Sequence, residues 1–316
     1  MRALATPSYG PLSQLTVVDL PLPTPGRGEV RVRVHATALN PADYRVATGS
    51  FRFLHARNFP MVLGYDFSGV IDEVGPGAGP LQRGDEVFGF LPYSPWNRRG
   101  ACAEAVIASA NEVTRKPSSL THQEAAALAT PGLTALQALR DHGKVKAGQR
   151  VAITGVSGGV GSLAVNVAVR LGAIVTAIGT RVGLELAARN GATTVIDRTK
   201  VDATAREGAF DVVLDAAATS RLKAWRGALS PTGTFITTLP SAAFAVDTLR
   251  SLFGRQRCAF IAVKSKADDL AQLAAWAEDG LRSALDASIG LADVPHHLQR
   301  LQRGEVKGRV VVSPAA

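Results

Sequence analysis

The chain has 316 residues, 46% of them hydrophobic and 19% charged, a length that suggests two domains and a balance that excludes disordered and fibrous classes. No apolar run approaches the roughly 18 residues of a membrane helix, Met1 to Ala5 lead straight into strand-like sequence without a signal-peptide core, and the only two cysteines, Cys102 and Cys258, fit no zinc spacing, so a cytoplasmic protein with free thiols is expected. The net charge of +9 is scattered, and its densest groups, Arg98-Arg99 and Arg255-Gln-Arg257, lack interleaved aromatics, which favours small anionic ligands over specific nucleic-acid binding.

Taken in order, the first part reads as all-β. Pro21, Pro23, Pro25 and Gly26 make a stiff connection between two early strands. Glu29-Val-Arg-Val-Arg-Val-His35 alternates strictly, with Val30, Val32 and Val34 on one face. Further strands are predicted over 68–74, 85–90 and 101–107, with a turn cluster at 75–80. Thr121-His-Gln-Glu124 is a capping box ahead of an alanine- and leucine-rich helix that runs to about residue 138. From there strands and helices alternate, with strands at 151–154, 173–178, 193–196, 210–214 and 233–238, the pattern of a doubly wound parallel sheet. A loop at 239–256 precedes a strand at 259–263. Helices at about 267–279 and 294–303 and a strand at 309–313 close the chain and return to the first domain. The fold class is therefore α/β, with one domain formed by 1–120 and 265–316 and a second by 121–264.

Val151-Ala-Ile-Thr-Gly155-Val-Ser-Gly158-Gly159-Val160-Gly161 is the most informative stretch. A short apolar strand, a glycine turn and a helix from Val160 to Leu171 make a phosphate cradle, because the first turn of a helix carries unpaired N–H groups and partial positive charge. Gly158 lets backbone approach phosphate, and Gly161 lets helix and strand pack closely. Val156 replaces the first glycine of the usual G-x-G-x-x-G pattern, so the context, with a second strand following at 173–178, carries the assignment. Where an NAD-binding unit places an acid on the ribose, this chain has Gly179-Thr180-Arg181, and Arg198 follows the next strand. The missing acid and the two cations point to NADPH; the competing reading leaves both arginines as ordinary solvated side chains.

The ordered set Ala38-Leu-Asn-Pro-Ala-Asp43, Gly64-Tyr-Asp-Phe-Ser-Gly-Val70, Gly84-Asp-Glu-Val-Phe-Gly89, Gly132-Leu-Thr-Ala135, Ser157-Gly-Gly-Val-Gly161 and Lys307-Gly-Arg-Val-Val311 resembles the zinc-free quinone oxidoreductase branch of the medium-chain dehydrogenase/reductase superfamily. The resemblance covers nearly the whole chain. It implies a GroES-like β-barrel catalytic domain completed by the C-terminal tail, a Rossmann domain, a nicotinamide cleft between them near Asn40, Tyr65 and Thr134, and a homodimer joined by Rossmann edge strands in 233–238 and 257–263. It also implies reduction of a small quinone or α,β-unsaturated carbonyl by NADPH. Zinc relatives carry cysteine where this chain has Asn40 and histidine where it has Tyr65, so no metal is expected. Without a Lewis acid a conjugated acceptor is the easier substrate, because charge spreads to an oxygen that hydrogen bonds can hold.

The candidate groups for that work are Asn40, through its amide, and Tyr44 and Tyr65, through a phenol O–H or a stacking face. Against this stand structural roles: Asn40 holding the turn before Pro41, and buried tyrosines serving backbone carbonyls. Asp43 and Asp66 are expected to hold backbone groups, Asp211 and Asp215 to shape the cofactor cleft, and His296-His297 to lie on a surface helix without further metal ligands. The loop 239–256, with Phe244, Leu249, Leu252 and Phe253, covers either the substrate pocket or the dimer edge. Two other functions remain open: a non-catalytic NADPH-binding sensor or structural protein, since no obligatory catalytic acid stands out, and a nucleic-acid binder, on charge alone.

Overall fold

A computed structural model describes all residues except 53–58, 95–98, 240, 241, 253 and 316. Arg98 and Phe253, and residues 53–58 and 95–98 of the stretches 44–60 and 91–100 on which pocket shape is expected to depend, therefore lie outside the described residues, and Leu252 is described by its backbone alone. The chain forms two compact units, one of Met1–Thr130 with Lys264–Ala316 and one of Pro131–Val263.

The first unit carries β1 (Arg2–Thr6), β2 (Thr16–Asp19), β3 (Glu29–Ala38), α1 (Pro41–Ala47), β4 (Met61–Val62), β5 (Asp66–Val74), β6 (Glu86–Phe90), β7 (Ala105–Ser109) and β8 (Val113–Arg115). The strictly alternating β3 is its axis. Val30, Val32 and Val34 are buried on one face while Arg33 and His35 stay exposed, as a period of two requires. β3 pairs with β5 along its length, with β7 along its first half and with the C-terminal strand at its end. Its sheet wraps as a GroES-like β-barrel, and β1, β2 and β4 form a separate three-stranded sheet. Two expectations need correction. The stretch read as all-β contains α1, which starts with proline at its first position and with Asp43 bonded back to the Asn40 N–H at 2.6 Å. The strand placed at 101–107 runs over Ala105–Ser109, because residues 101 and 102 bond elsewhere: the Ala101 N–H donates to Gly64 O and the Leu4 N–H to Cys102 O.

The capping box at Thr121 and Glu124 forms as expected, with the Glu124 N–H on Thr121 Oγ1 at 3.2 Å and the Thr121 N–H on Glu124 Oε2 at 2.9 Å. It opens α2 (His122–Gln137), whose last turns lie in the second unit. There follow β9 (Arg150–Thr154), α3 (Gly159–Arg170), β10 (Ile174–Gly179), α4 (Arg181–Arg189), β11 (Thr194–Asp197), β12 (Phe210–Asp215), α5 (Leu222–Trp225), β13 (Leu229–Thr237), α6 (Ala242–Leu252) and β14 (Arg257–Phe260). The six strands are all parallel in the order β11-β10-β9-β12-β13-β14. That is a doubly wound Rossmann sheet, and its order reverses between β9 and β12, the place where such sheets bind ligands at their carboxyl ends.

The stretch 239–256 is not a loop, because it holds α6. Its alanines and leucines are good helix formers, and neither glycine nor proline occurs from 242 to 252 to break the helix. Val246 and Leu249 are 45% and 60% exposed on it. The edge strand β14 starts two residues earlier than expected. Of Phe235, Ile236, Phe260 and Ile261, the residues from which the edge strands 233–238 and 257–263 are expected to draw an apolar dimer surface, Phe235, Ile236 and Ile261 are at most 4% exposed and belong to the core of their own unit, while Phe260 is half-buried.

The chain then returns to the first unit with α7 (Ala267–Glu278), β15 (Leu285–Ile289), α8 (Val294–Gln302) and β16 (Arg309–Val312). β16 pairs antiparallel with the end of β3, Val311 facing Ala38, and Ala36, Ala38, Ala126, Ala127 and Val311 pack together there. β15, parallel to β16, escapes the sequence reading: Leu-Asp-Ala-Ser-Ile alternates apolar and polar residues as a strand does, but it is only five residues long and has a single β-branched residue. No described helix is long and apolar enough to cross a membrane.

Candidate functional site

The glycine turn read as a phosphate cradle forms where sequence placed it. β9 ends at Thr154, Gly155 takes a left-handed φ of 67°, and α3 begins at Gly159 behind Gly158 as N-cap. Gly158 has no side chain with which to cap the first N–H groups of α3, and they are left for a ligand. A Cβ on Gly161 would stand 2.3 Å from Gly155 O and 3.0 Å from Thr154 O, so only glycine lets the helix sit this close to the strand end. Val156 explains the imperfect motif. It is fully buried and packs beneath Gly179, where an added Cβ would come within 2.7 Å of its Cγ2. Ser157, Gly158, Gly159 and Val160 are half-buried at the rim.

β10 and β11 bring the cations to one corner. Gly179 pairs with Asp197, and the Arg198 N–H donates to Gly179 O at 3.0 Å, so Thr180, Arg181 and Arg198 crowd the carboxyl ends of two neighbouring strands. Thr180 is the N-cap of α4, yet its hydroxyl makes no capping bond. The Arg181 side chain is 91% exposed and only loosely paired with Glu185 at 3.7 Å. No acid lies in the first turn of α4. This corner can take a dianionic phosphate.

In the first unit the residues read as site candidates meet a buried polar network. The Asn40 amide is spent inside it: Nδ2 donates to Asp66 Oδ2 at 2.9 Å, and Oδ1 accepts from an Arg309 Nη at 2.8 Å. Arg309 also donates to Asp66 Oδ2 at 2.5 Å. The other Asp66 oxygen accepts the N–H of Thr130 at 2.8 Å and a short bond from the Thr130 hydroxyl. All four side chains are at most 6% exposed. Burial pushes the Asp66 carboxyl up, and the Arg309 guanidinium and the bonds from Thr130 and Asn40 pull it back. Asp43, as expected, holds backbone, accepting the N–H groups of Asn40 and Gly64. Thr134 lies one turn beyond Thr130 on α2 and is 6% exposed.

Asp43 is fully buried, and burial raises its carboxyl from 3.8 to about 7, with the Asp66 carboxylate adding to the rise and the N–H groups of Asn40 and Gly64 and the Arg309 guanidinium opposing it. The native state therefore keeps a proton that the unfolded chain releases. Its contribution to stability is complete below the unfolded value and is lost as pH climbs through about 7. Carbon-detected NMR of aspartate carboxyls is expected to show one group titrating near neutrality that is missing in Asp43→Asn; carboxyls that all titrate below pH 5 reject this.

Tyr65 is 5% exposed, and burial together with the Asp43 carboxylate raises its phenol well above 10, so it stays protonated. Its ring meets Tyr93 edge-on at 4.5 Å, and Tyr93 meets Phe90 at 5.0 Å. Tyr44 lies on α1, half-buried, with the Arg45 guanidinium 5.6 Å from its ring centre. Sequence reading missed Arg309, Thr130 and Tyr93. Arg309 sits inside the quoted Lys307-Gly-Arg marker; nothing local sets Thr130 or Tyr93 apart.

Residues 26–118 match the family model of the alcohol dehydrogenase GroES-like domain, and residues 190–312 that of the zinc-binding dehydrogenases. The mitochondrial NAD(P)H oxidoreductase RTN4IP1 of Mus musculus is 31% identical over 90% of this chain and 81% of its own length. The chain belongs to the medium-chain dehydrogenase/reductase superfamily. Within it the quinone oxidoreductases are its kin. The chloroplast envelope quinone oxidoreductase homolog of Arabidopsis thaliana is 29% identical over 99% of this chain and 98% of that one. The solved quinone oxidoreductase from Coxiella burnetii matches with a TM-score of 0.87 at 28% identity, covering 99% of both chains. The protein is thus a nicotinamide-dependent oxidoreductase of the quinone oxidoreductase branch.

The resemblance read from the sequence sets Asn40 and Tyr65 where zinc members carry metal ligands. An amide already bonded on both atoms and a protonated phenol are poor ligands for zinc. Among the described residues no three of His, Cys, Asp or Glu stand together to hold an ion. His296 and His297 lie edge to face on α8, and His297 Nδ1 is engaged with Arg300 at 3.1 Å.

Proposed function

We propose that the chain is an NADPH-dependent reductase of quinones or α,β-unsaturated carbonyls that works without a metal. The corner formed by Thr180, Arg181 and Arg198 carries the cofactor choice: two cations, a spare hydroxyl and no acid at the end of β10. Ser157 to Gly161 would hold the pyrophosphate on the first turn of α3, with Gly158 and Gly159 presenting backbone. When bound, the cofactor supplies a hydride to a carbon conjugated with the acceptor oxygen. The protein then has to hold the oxygen on which charge develops and exclude water. The Tyr65 O–H, kept protonated by burial, is the donor of choice, and Tyr44 offers a flat face to a quinone. Asn40 serves as a positioning residue, because its amide is committed to Asp66 and Arg309.

Oxidation of NADPH in the presence of a panel of quinones and enones tests this. Turnover is expected with conjugated acceptors and not with simple ketones. Tight NADPH binding without turnover of any acceptor would favour the sensor reading. Elemental analysis is expected to find no stoichiometric metal; one zinc per chain whose removal abolishes activity would overturn the metal-free mechanism.

A homodimer joined at the Rossmann edge completes the proposal. β14 pairs on one side only, and exposed edges tend to be covered or paired. The apolar surface at hand there is Val246 and Leu249 of α6 rather than the core residues of β13. Light scattering at micromolar concentration should report twice the chain mass, and Leu249→Glu should shift it towards monomer. A monomeric parent protein contradicts this part.

A further inference from the structure

Asp215 is fully buried at the end of β12, and both of its oxygens are engaged. Oδ1 accepts from the Thr154 hydroxyl at 2.6 Å, and Oδ2 accepts the N–H and the hydroxyl of Ser220 at 2.7 and 2.8 Å. Ser220 Oγ in turn accepts from Trp225 Nε1 at 2.9 Å. Thr154 and Asp215 are the last residues of β9 and β12 and face each other in register across the point where the strand order reverses. A chain of hydrogen bonds therefore ties that opening to the buried indole of Trp225.

The chain also reaches the phosphate turn by packing. Between Asp215 and Ser220 the backbone makes a tight loop with Ala218 at a φ of 53°, a left-handed conformation rare for a residue with a Cβ. The loop presses on Gly155: a Cβ there would come 2.8 Å from Ala217 N and 3.0 Å from Ala217 Cβ. From the other side Gly161 closes on the Thr154–Gly155 backbone. The first peptide of the phosphate turn is thus held between α3 and a loop whose shape Asp215 sets.

We infer that Asp215, with Thr154 and Ser220, is a positioning unit that aims the N–H groups at the start of α3 at the pyrophosphate of the dinucleotide. This rests on the nicotinamide-nucleotide reading of the site but not on the choice between NADPH and NADH. The unit touches neither Thr180 nor Arg181, so it should govern affinity for the pyrophosphate and leave discrimination at the 2′ position alone.

The test measures dissociation constants of NADPH, NADH and adenosine 2′-monophosphate, which lacks the pyrophosphate, for the parent, Thr154→Val, Thr154→Ser, Ser220→Ala and Asp215→Asn. Loss of one bond to the carboxylate is expected to weaken both dinucleotides about tenfold and equally in Thr154→Val and Ser220→Ala. The 2′-monophosphate should bind as before, and Thr154→Ser should keep the parent affinity. Should Asp215→Asn fail to fold, the two milder variants decide. Folded variants with unchanged dinucleotide affinity, or with equal weakening of the 2′-monophosphate, overturn the positioning role. A parent protein that binds neither dinucleotide removes the site reading itself, and this inference with it.

Discussion

Arg181→Ala is expected to weaken NADPH binding and leave NADH nearly unchanged. A charge-assisted bond to the 2′-phosphate contributes on the order of 1.5–3 kcal/mol, which corresponds to roughly a tenfold to hundredfold change in affinity. The Arg181 side chain is 91% exposed, so solvent screening places the effect at the lower end. Its present partner, Glu185 at 3.7 Å and itself exposed, costs little to give up. Thr180→Asp should go further. It sets a carboxylate against the phosphate and offers the ribose hydroxyls an acceptor, the arrangement of NAD-binding units. Thr180 is the N-cap of α4, a position aspartate favours, so the substitution should not harm folding. Titration of both cofactors against the three proteins decides. Equal affinities in the parent, or no selective loss in Arg181→Ala, would reject the assignment; a selective loss in Arg198→Ala alone would transfer the role to Arg198.

Arg309→Met is expected to cost the fold about 3–5 kcal/mol, because it leaves the Asp66 carboxylate buried without its cation. Asp66 is fully buried and Arg309 is 4% exposed, so water cannot replace the lost partner. The same change frees Asn40 Oδ1, and the Asp66 carboxyl should move further up once the guanidinium that lowers it is gone. Asp66→Asn combined with Arg309→Met should recover part of the loss, since a neutral pair in that space carries no unpaired charge. Denaturant unfolding measures both. A cost below about 1 kcal/mol for the single change, the range of an exposed pair, would show that the network is not a buried ion pair in solution.

Much of the protein is written locally. The alternation of Val30, Val32 and Val34 set the buried face of β3, and Thr121 and Glu124 set the start of α2. The glycines at 155, 158 and 161 and the parallel strands around them placed the phosphate turn, and Gly179-Thr180-Arg181 placed the basic corner, because each depends on neighbours within a few residues. Where local signals were weak or mixed, tertiary structure decided. α6 was hidden in an apolar stretch that helix and loop could share, and β15 is a five-residue alternation too short to stand out until it pairs with β16. Asn40 is legible in sequence as a lost metal ligand, but its actual work depends on Asp66, Arg309 and Thr130, which stand 26, 269 and 90 positions away in the chain. Hydrogen bonds across such distances leave no periodicity behind. The role of Asp215 is of the same kind: sequence sets it at a strand end as a residue that shapes the cofactor cleft, but its grip on Thr154 and Ser220 arises when β9 and β12 come side by side. Sequence alone thus determined the two folds and the position of the glycine turn proposed for the nucleotide, since both follow from short-range pattern, whereas only the folded chain decided which polar side chains are spent holding one another.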